Sequence, residues 1–195
     1  MNILMKIYFR ICNFIQNLIY KIIFRIKIGE NVFFKGRPAI FKSSTSDIII
    51  GKNTILNSSN YRAHVNIHSK CKLIADGENS KISIGSNSRI IGSCIHAHIS
   101  IAIGNNCGIG ANSQIIDSNA HKMSMSDPSQ RLYTVDVPSP VTISDDVWIG
   151  ANCIILPGTK IGAGSVICAG SVVRGHFPEK VLIGGNPATI LKAYQ

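Results

Sequence analysis

His121 is the residue whose type and place best suit it to move a proton. It lies in the stretch IIDSNAHKMSMSDPSQ, residues 115–130, just past the point where a regular pattern breaks off. An imidazole titrates near neutral pH and can take or give a proton. Asp117 stands four residues earlier. Three readings are open for it: it orients the imidazole, hydrogen-bonds an acceptor, or caps the turn. Asn119 is a weaker companion. The six cysteines form no CxxC pair and no metal-ligand spacing. Reduced thiols in a cytosolic compartment fit them best.

The pattern that His121 interrupts has a period of six. From Ile143 the chain reads ISDDVW, IGANCI, ILPGTK, IGAGSV, ICAGSV and VRGHFP. Ile or Val opens each block, at 143, 149, 155, 161, 167 and 173, and a small or β-branched residue sits fifth in the first five. The beat returns upstream at Ile103, Ile109 and Ile115, at Ile84 and Ile90, and more loosely at Ile50 and Ile67. Neither a helix nor an ordinary strand has this period. A coil with three flat sides does: each block makes one side, the opening aliphatic points inward, and successive coils pair as parallel strands. Glycine is expected to permit the bends. Cys71, Cys94, Cys107 and Cys153 fall at the fifth position and read as small core residues rather than nucleophiles. Runs such as IGAGSV and GNNCGIG look like phosphate loops, but here they are coil corners. Asp117 to Val141, with SMSDPSQ and VPSP, leaves the beat and reads as an inserted, protruding loop.

The formal net charge of the 195 residues is +10. Residues 1–42 hold eight Lys/Arg against the single acid Glu30, so most of that charge is N-terminal. Such asymmetry points to an anionic surface, and the lack of a basic stripe with interleaved aromatics favours a membrane over nucleic acid. Residues 1–28 lack the unbroken apolar stretch of a signal peptide, and Asn13, Gln16, Asn17 and Lys21 interrupt a span. Lys6, Arg10, Asn13, Asn17, Lys21 and Arg25 recur every three or four residues. This predicts a basic amphipathic helix over 1–28 that lies on a membrane or packs on protein, ahead of a β-domain over 29–195.

The blocks, the loop around a histidine, the run VWIGANCIILPGTKIGAGSVICAGSVV and the closing IGGNPATIL resemble the hexapeptide-repeat acyltransferases. Within that family the pattern is most like the galactoside, maltose and surface-polysaccharide O-acetyltransferases. The resemblance spans roughly residues 48–192. It implies an all-β, left-handed parallel β-helix with a short C-terminal helix. It also implies a homotrimer with acetyl-CoA bound between subunits. By resemblance His121 is the general base that takes the acceptor's proton, and a backbone N–H holds the oxyanion. Trp148 matches a tryptophan beside the family's active site, and Ala151 and Ala169 match small positions along the pantetheine arm. Arg174 and Lys192 lie near positions that bind the CoA phosphates; Lys180 is a looser match. Lys122 and Thr189 depart from the family pattern, which is often proline and a base there. The γ-class carbonic anhydrases share the fold but need three converging histidines. Here Ile116 replaces one, and His96 and His98 lack an obvious third ligand, so no metal is expected.

The expected activity is acetyl-CoA-dependent O-acetylation of a sugar hydroxyl in O-antigen, capsule or exopolysaccharide synthesis. The expected place is the cytoplasm, peripheral at the inner face of the cell membrane. Three alternatives stand: a soluble acetyltransferase acting on an antibiotic, an N-acyltransferase acting on an amino-sugar nucleotide, and a non-catalytic solenoid scaffold.

Overall fold

The structure is a computed structural model. It describes the backbone of residues 3–195 and, in the first helix, the side chains of Tyr8 and of Arg10 onward. After the helix Ile3–Ile22, short strands follow one another through three sheets in rotation. Every third strand returns to the same sheet, so the chain winds as a coil with three faces. The first face has seven strands, from Lys27–Ile28 to His176–Phe177, and the third has six, from Ala39–Lys42 to Val172–Val173. The second has eight, from Phe33–Lys35 to Ala188–Ala193. All pairings are parallel except the last, where Val181–Gly185 meets Ala188–Ala193 antiparallel.

The period of six has the expected physical cause. On the first face Ile50, Ile84, Ile103, Ile143 and Ile161 stand in direct register. Leu56, Ile90, Ile109, Ile149 and Ile167 do so on the second. Leu73, Ile95, Ile115, Ile155 and Val173 do so on the third. These aliphatics are buried and form one continuous core. Each coil contributes three of them, so removing one leaves a cavity between two neighbours.

Two details correct the reading of the corners. Glycine turns the later corners, at Gly158, Gly164 and Gly170 (φ 78, 67 and 74°), but others are turned by asparagine or aspartate: Asn53, Asn87, Asn106 and Asp146 all have φ near +60° (58, 57, 56 and 60°). Their short polar side chains tolerate this region and link from coil to coil in a ladder that starts at Asn31. Gly150 has another task. A Cβ there would sit 2.5 Å from the amide nitrogen of Ala169, so glycine permits close stacking of two coils. Among the cysteines, Cys71, Cys107 and Cys153 are buried as expected, and burial raises their thiol pKa values. Cys94 is not in the small inner place. Ile90 and Ile95 are only five residues apart, and Ser93 takes that place instead.

Both ends of the coil differ from expectation. The expected C-terminal helix is a strand, Ala188–Ala193, folded back on Val181–Gly185 through the turn at Gly185 to Pro187. A strand satisfies the open edge of the second face, which a helix over the same residues would leave unpaired. At the other end the helix stops at Ile22, and Lys27–Ile28 already pair with Ile49–Ile50. Part of the polar stripe faces inward. The Asn13 side chain donates to the Val32 carbonyl and accepts from the Phe34 amide. Asn17 donates to Val32, Gln16 to Gly36 and Tyr20 to Pro38. These groups cap the first coil's exposed backbone. The side turned outward carries Ile11, Phe14, Ile15, Leu18, Ile19 and Ile22, each at least 41 % exposed. The Lys6 side chain lies outside the described residues.

Candidate active site

The inserted loop begins where strand Gln114–Ile116 ends on the third face and returns at Val141–Ile143 on the first. Asp117 closes its root. The side chain is fully buried, with Oδ1 accepting from the His98 amide and Oδ2 from those of Ile99 and Ser100, each at 2.8 Å. The Asp117 carbonyl accepts from the Ser139 amide at 2.7 Å, which ties the outgoing strand to the returning one. Of its three readings, the geometry matches the turn cap: the carboxylate serves three backbone amides, not the imidazole.

His121 is oriented from elsewhere. Its Nδ1 lies 3.2 Å from the carbonyl oxygen of Thr134. A carbonyl can only accept, so Nδ1 carries the hydrogen and, in the neutral ring, Nε2 keeps its lone pair. The ring is exposed, with Nε2 available as a base. The backbone before it is held by Asp136. That carboxylate accepts from the Asn119 amide at 3.0 Å and from Asn119 Nδ2 at 2.8 Å, while the Asp136 amide donates to the Ala120 carbonyl. The Asn119 amide, above all, holds the Asp136 carboxyl below its usual range. Asn119 and Asp136 together fix the backbone that leads into His121. Thr134 and Asp136 escaped the sequence reading, since they stand 13 and 15 residues beyond His121 in an irregular segment with no period.

A groove of about 610 Å³ runs along the second face. Trp148, Ala151 and Ala169 line it together, joined by Arg89, Gly108 and His64. Trp148 is 63 % exposed and stands in register with Gly108 below and Val166 above. Lys192 lies farther along this face, since Val166 pairs with Leu182 and Leu182 with Lys192. Arg174 is not brought to the groove. It follows the last strand of the third face, and its charge acts on Asp136. Lys180 and Lys122 are exposed and line no groove wall. His64 and Val65 reach the groove from a second departure from the beat, residues 58–71. Asn60 clasps both backbone groups of Ile67, and Asn112 holds the Asn66 carbonyl and the His68 amide.

No lining residue of this groove comes from 117–141. The loop is rooted at the end of the third face and the groove lies on the second. One more grouping escaped the sequence reading: the Asp76 carboxylate lies within 3.4 Å of a ring nitrogen of both His96 and His98.

Residues 140–175 match the family model described as "Bacterial transferase hexapeptide (six repeats)". WbbJ of Escherichia coli (strain K12), whose name assigns it to lipopolysaccharide biosynthesis as an O-acetyl transferase, is 40 % identical over 103 residues. That match covers 49 % of this chain and 51 % of WbbJ. The chain thus spans about half the length of this curated relative. Among solved structures, the polysialic acid-specific acetyltransferase NeuO superposes with a TM-score of 0.65 at 24 % identity. The match covers 86 % of this chain and 75 % of NeuO. AntD, an N-acyltransferase from Bacillus cereus solved with dTDP and 3-hydroxybutyryl-CoA, gives 0.66 at 22 % identity, covering 87 % and 83 %. In repeat and in fold the chain resembles the hexapeptide-repeat acyltransferases.

Proposed function

We propose that this chain is an acetyl-CoA-dependent O-acetyltransferase acting on a sugar hydroxyl, with His121 as general base. The observation that carries the reading is His121 itself: an exposed imidazole with its tautomer set by Thr134, on a loop that leaves a hexapeptide coil. Nε2 takes the proton of the acceptor hydroxyl as its oxygen attacks the thioester carbonyl. The C–S bond then breaks, and the proton passes to the departing CoA thiolate. The thioester is already activated, so no acyl-enzyme is needed. In this reading the pantetheine arm lies in the groove against Ala151 and Ala169, beside Trp148. Lys192 and Arg89 are the cations offered to the phosphates.

The coil is read as left-handed and the working unit as a trimer. Two features support a shared site. The groove and the His121 loop stand on different faces of one chain, so a neighbour's loop is needed to close the groove. That loop also exposes Met123, Met125, Leu132, Tyr133, Val135 and Val137, each at least 72 %, an apolar surface suited to a subunit contact. A lipid-linked acceptor fits the N-terminal helix, whose outward apolar side is flanked by exposed Arg10, Lys21, Arg25 and Arg37. Such a surface can rest in an anionic lipid interface. The WbbJ match supports a surface polysaccharide as the acceptor class.

Calorimetry with acetyl-CoA, followed by assay of thioester breakdown with candidate glycans, tests the reading. Wild type and His121→Ala are expected to bind acetyl-CoA alike. Turnover is expected to fall by about 10²–10⁴ in the variant, the usual contribution of a general base. Absence of acetyl-CoA binding in folded protein, or undiminished turnover in His121→Ala, would overturn it.

A further inference from the structure

The geometry points to a divalent transition-metal site formed by Asp76, His96 and His98, distinct from the acyl-transfer chemistry. His96 Nε2 lies 3.0 Å from each oxygen of the Asp76 carboxylate, and His98 Nδ1 lies 3.4 Å from Oδ1. The rings are 4.7 Å apart, and one ligand atom from each residue falls within a 4.8 Å cluster. Zinc–nitrogen and zinc–oxygen bonds of about 2.0–2.2 Å around a tetrahedron place ligand atoms roughly 3.3–3.6 Å apart. Both nitrogen-to-carboxylate separations, 3.0 and 3.4 Å, lie close to that spacing, and no pair of ligand atoms is more than 4.8 Å apart. Two imidazoles and one carboxylate suit Zn²⁺, Co²⁺ or Ni²⁺ rather than Mg²⁺ or Ca²⁺. The side chains are 29–32 % exposed, which leaves solvent access for a fourth ligand.

The scaffold under the cluster is rigid. His96 lies on strand Cys94–Ala97, which pairs with strands on both sides, and Ala75 stands opposite Ala97, so Asp76 faces His98 across two coils. Gly77 brings the turns together: a Cβ there would lie 1.9 Å from the His98 carbonyl oxygen. The His98 amide is fixed by Asp117. A cation here staples two adjacent coils directly beneath the root of the His121 loop. Sequence spacing hid the site, because its ligands come from separate coils and the carboxylate is 20 residues from the first histidine.

The test uses the full chain, stripped of metal by a chelator, and titrates ZnCl₂ by calorimetry and CoCl₂ by visible absorption. The same titrations are run on Asp76→Asn, His96→Ala, His98→Ala and, as control, His68→Ala. Wild type and control are expected to take one ion per chain, to gain thermal stability with Zn²⁺, and to show no thiolate-to-cobalt charge-transfer band. Each cluster variant is expected to bind at least about tenfold more weakly, since removing even an outer-shell partner costs that much. Unfolding without cation shows that each variant is folded, and this partly exposed cluster leaves that transition unchanged. Equal affinity across the variants, a thiolate band, or no saturable binding by folded wild type would overturn the site.

Discussion

Asp117→Asn separates a structural carboxylate from a catalytic one. The native side chain holds three backbone amides at 2.8 Å and is fully buried. Asparagine can place its one carbonyl oxygen where Oδ2 sits and keep the Ile99 and Ser100 amides. Its NH₂ group then faces the His98 N–H, donor against donor. One charge-assisted bond is lost, and a donor goes unsatisfied, at about 1–3 kcal/mol. The two surviving bonds weaken as the charge disappears. The sum is about 3 kcal/mol. For a chain of this size each kcal/mol moves Tm by roughly 2–4 °C, so the expected drop is roughly 6–12 °C. The assay is thermal unfolding at one fixed protein concentration, because subunit association would couple Tm to concentration. Turnover measured well below the transition should fall far less than in His121→Ala. A Tm within about 2 °C of wild type, together with a hundredfold loss of turnover, would refute the cap and return Asp117 to the chemistry.

Further outcomes follow from the same geometry. Asp136→Asn should loosen the segment before His121 and lower kcat at neutral pH with little change in acetyl-CoA affinity. In wild type the Asp136 carboxyl is held below its usual range by Asn119. Its clamp is therefore complete above the unfolded-chain value of about 3.9 and is lost as pH falls through the lower folded value. The Asn119 amide proton shift, followed by NMR as pH falls through that range, should report this loss in wild type and stay flat in Asp136→Asn. Ala169→Phe projects from an exposed position into the groove, so it should weaken acetyl-CoA binding at least about tenfold, or 1.4 kcal/mol, while leaving Tm unchanged. Full-length protein should float with anionic liposomes, and Phe14→Asp with Leu18→Asp should abolish flotation. Each is an exposed apolar side chain on the outward side of the helix, so folding should survive. Equal flotation of both proteins would exclude that face as the contact.

Legibility followed the range of the forces involved. The aliphatic columns were plain because each inward Ile or Val repeats at a fixed interval and meets its copy in the next coil. Ile90 to Ile95 was misread for the same reason: a block one residue short moved the small inner place from Cys94 to Ser93. The C-terminal residues were expected as a helix because the family resemblance implies one, and the open edge of the second face decided otherwise. At the N-terminus the helical period was legible and left the orientation open. Helical spacing places Asn13 and Asn17 on one side, but which side faces the protein depends on the unpaired backbone of Val32 and Phe34.

The sequence by itself determined the repeat, the core residues, the position of the insertion and the histidine on it, since each is written as a local pattern. Trp148, Ala151 and Ala169, grouped by the family resemblance, line one groove because the blocks that open at Ile149 and Ile167 stack in register on the second face. The tertiary structure alone decided what Asp117 holds, which carbonyl sets the tautomer of His121, where Arg174 goes, and that Asp76 meets His96 and His98. Those partners come from different coils or across an irregular loop. Nothing periodic links such positions along the chain, and only the coil's winding puts them within hydrogen-bonding distance.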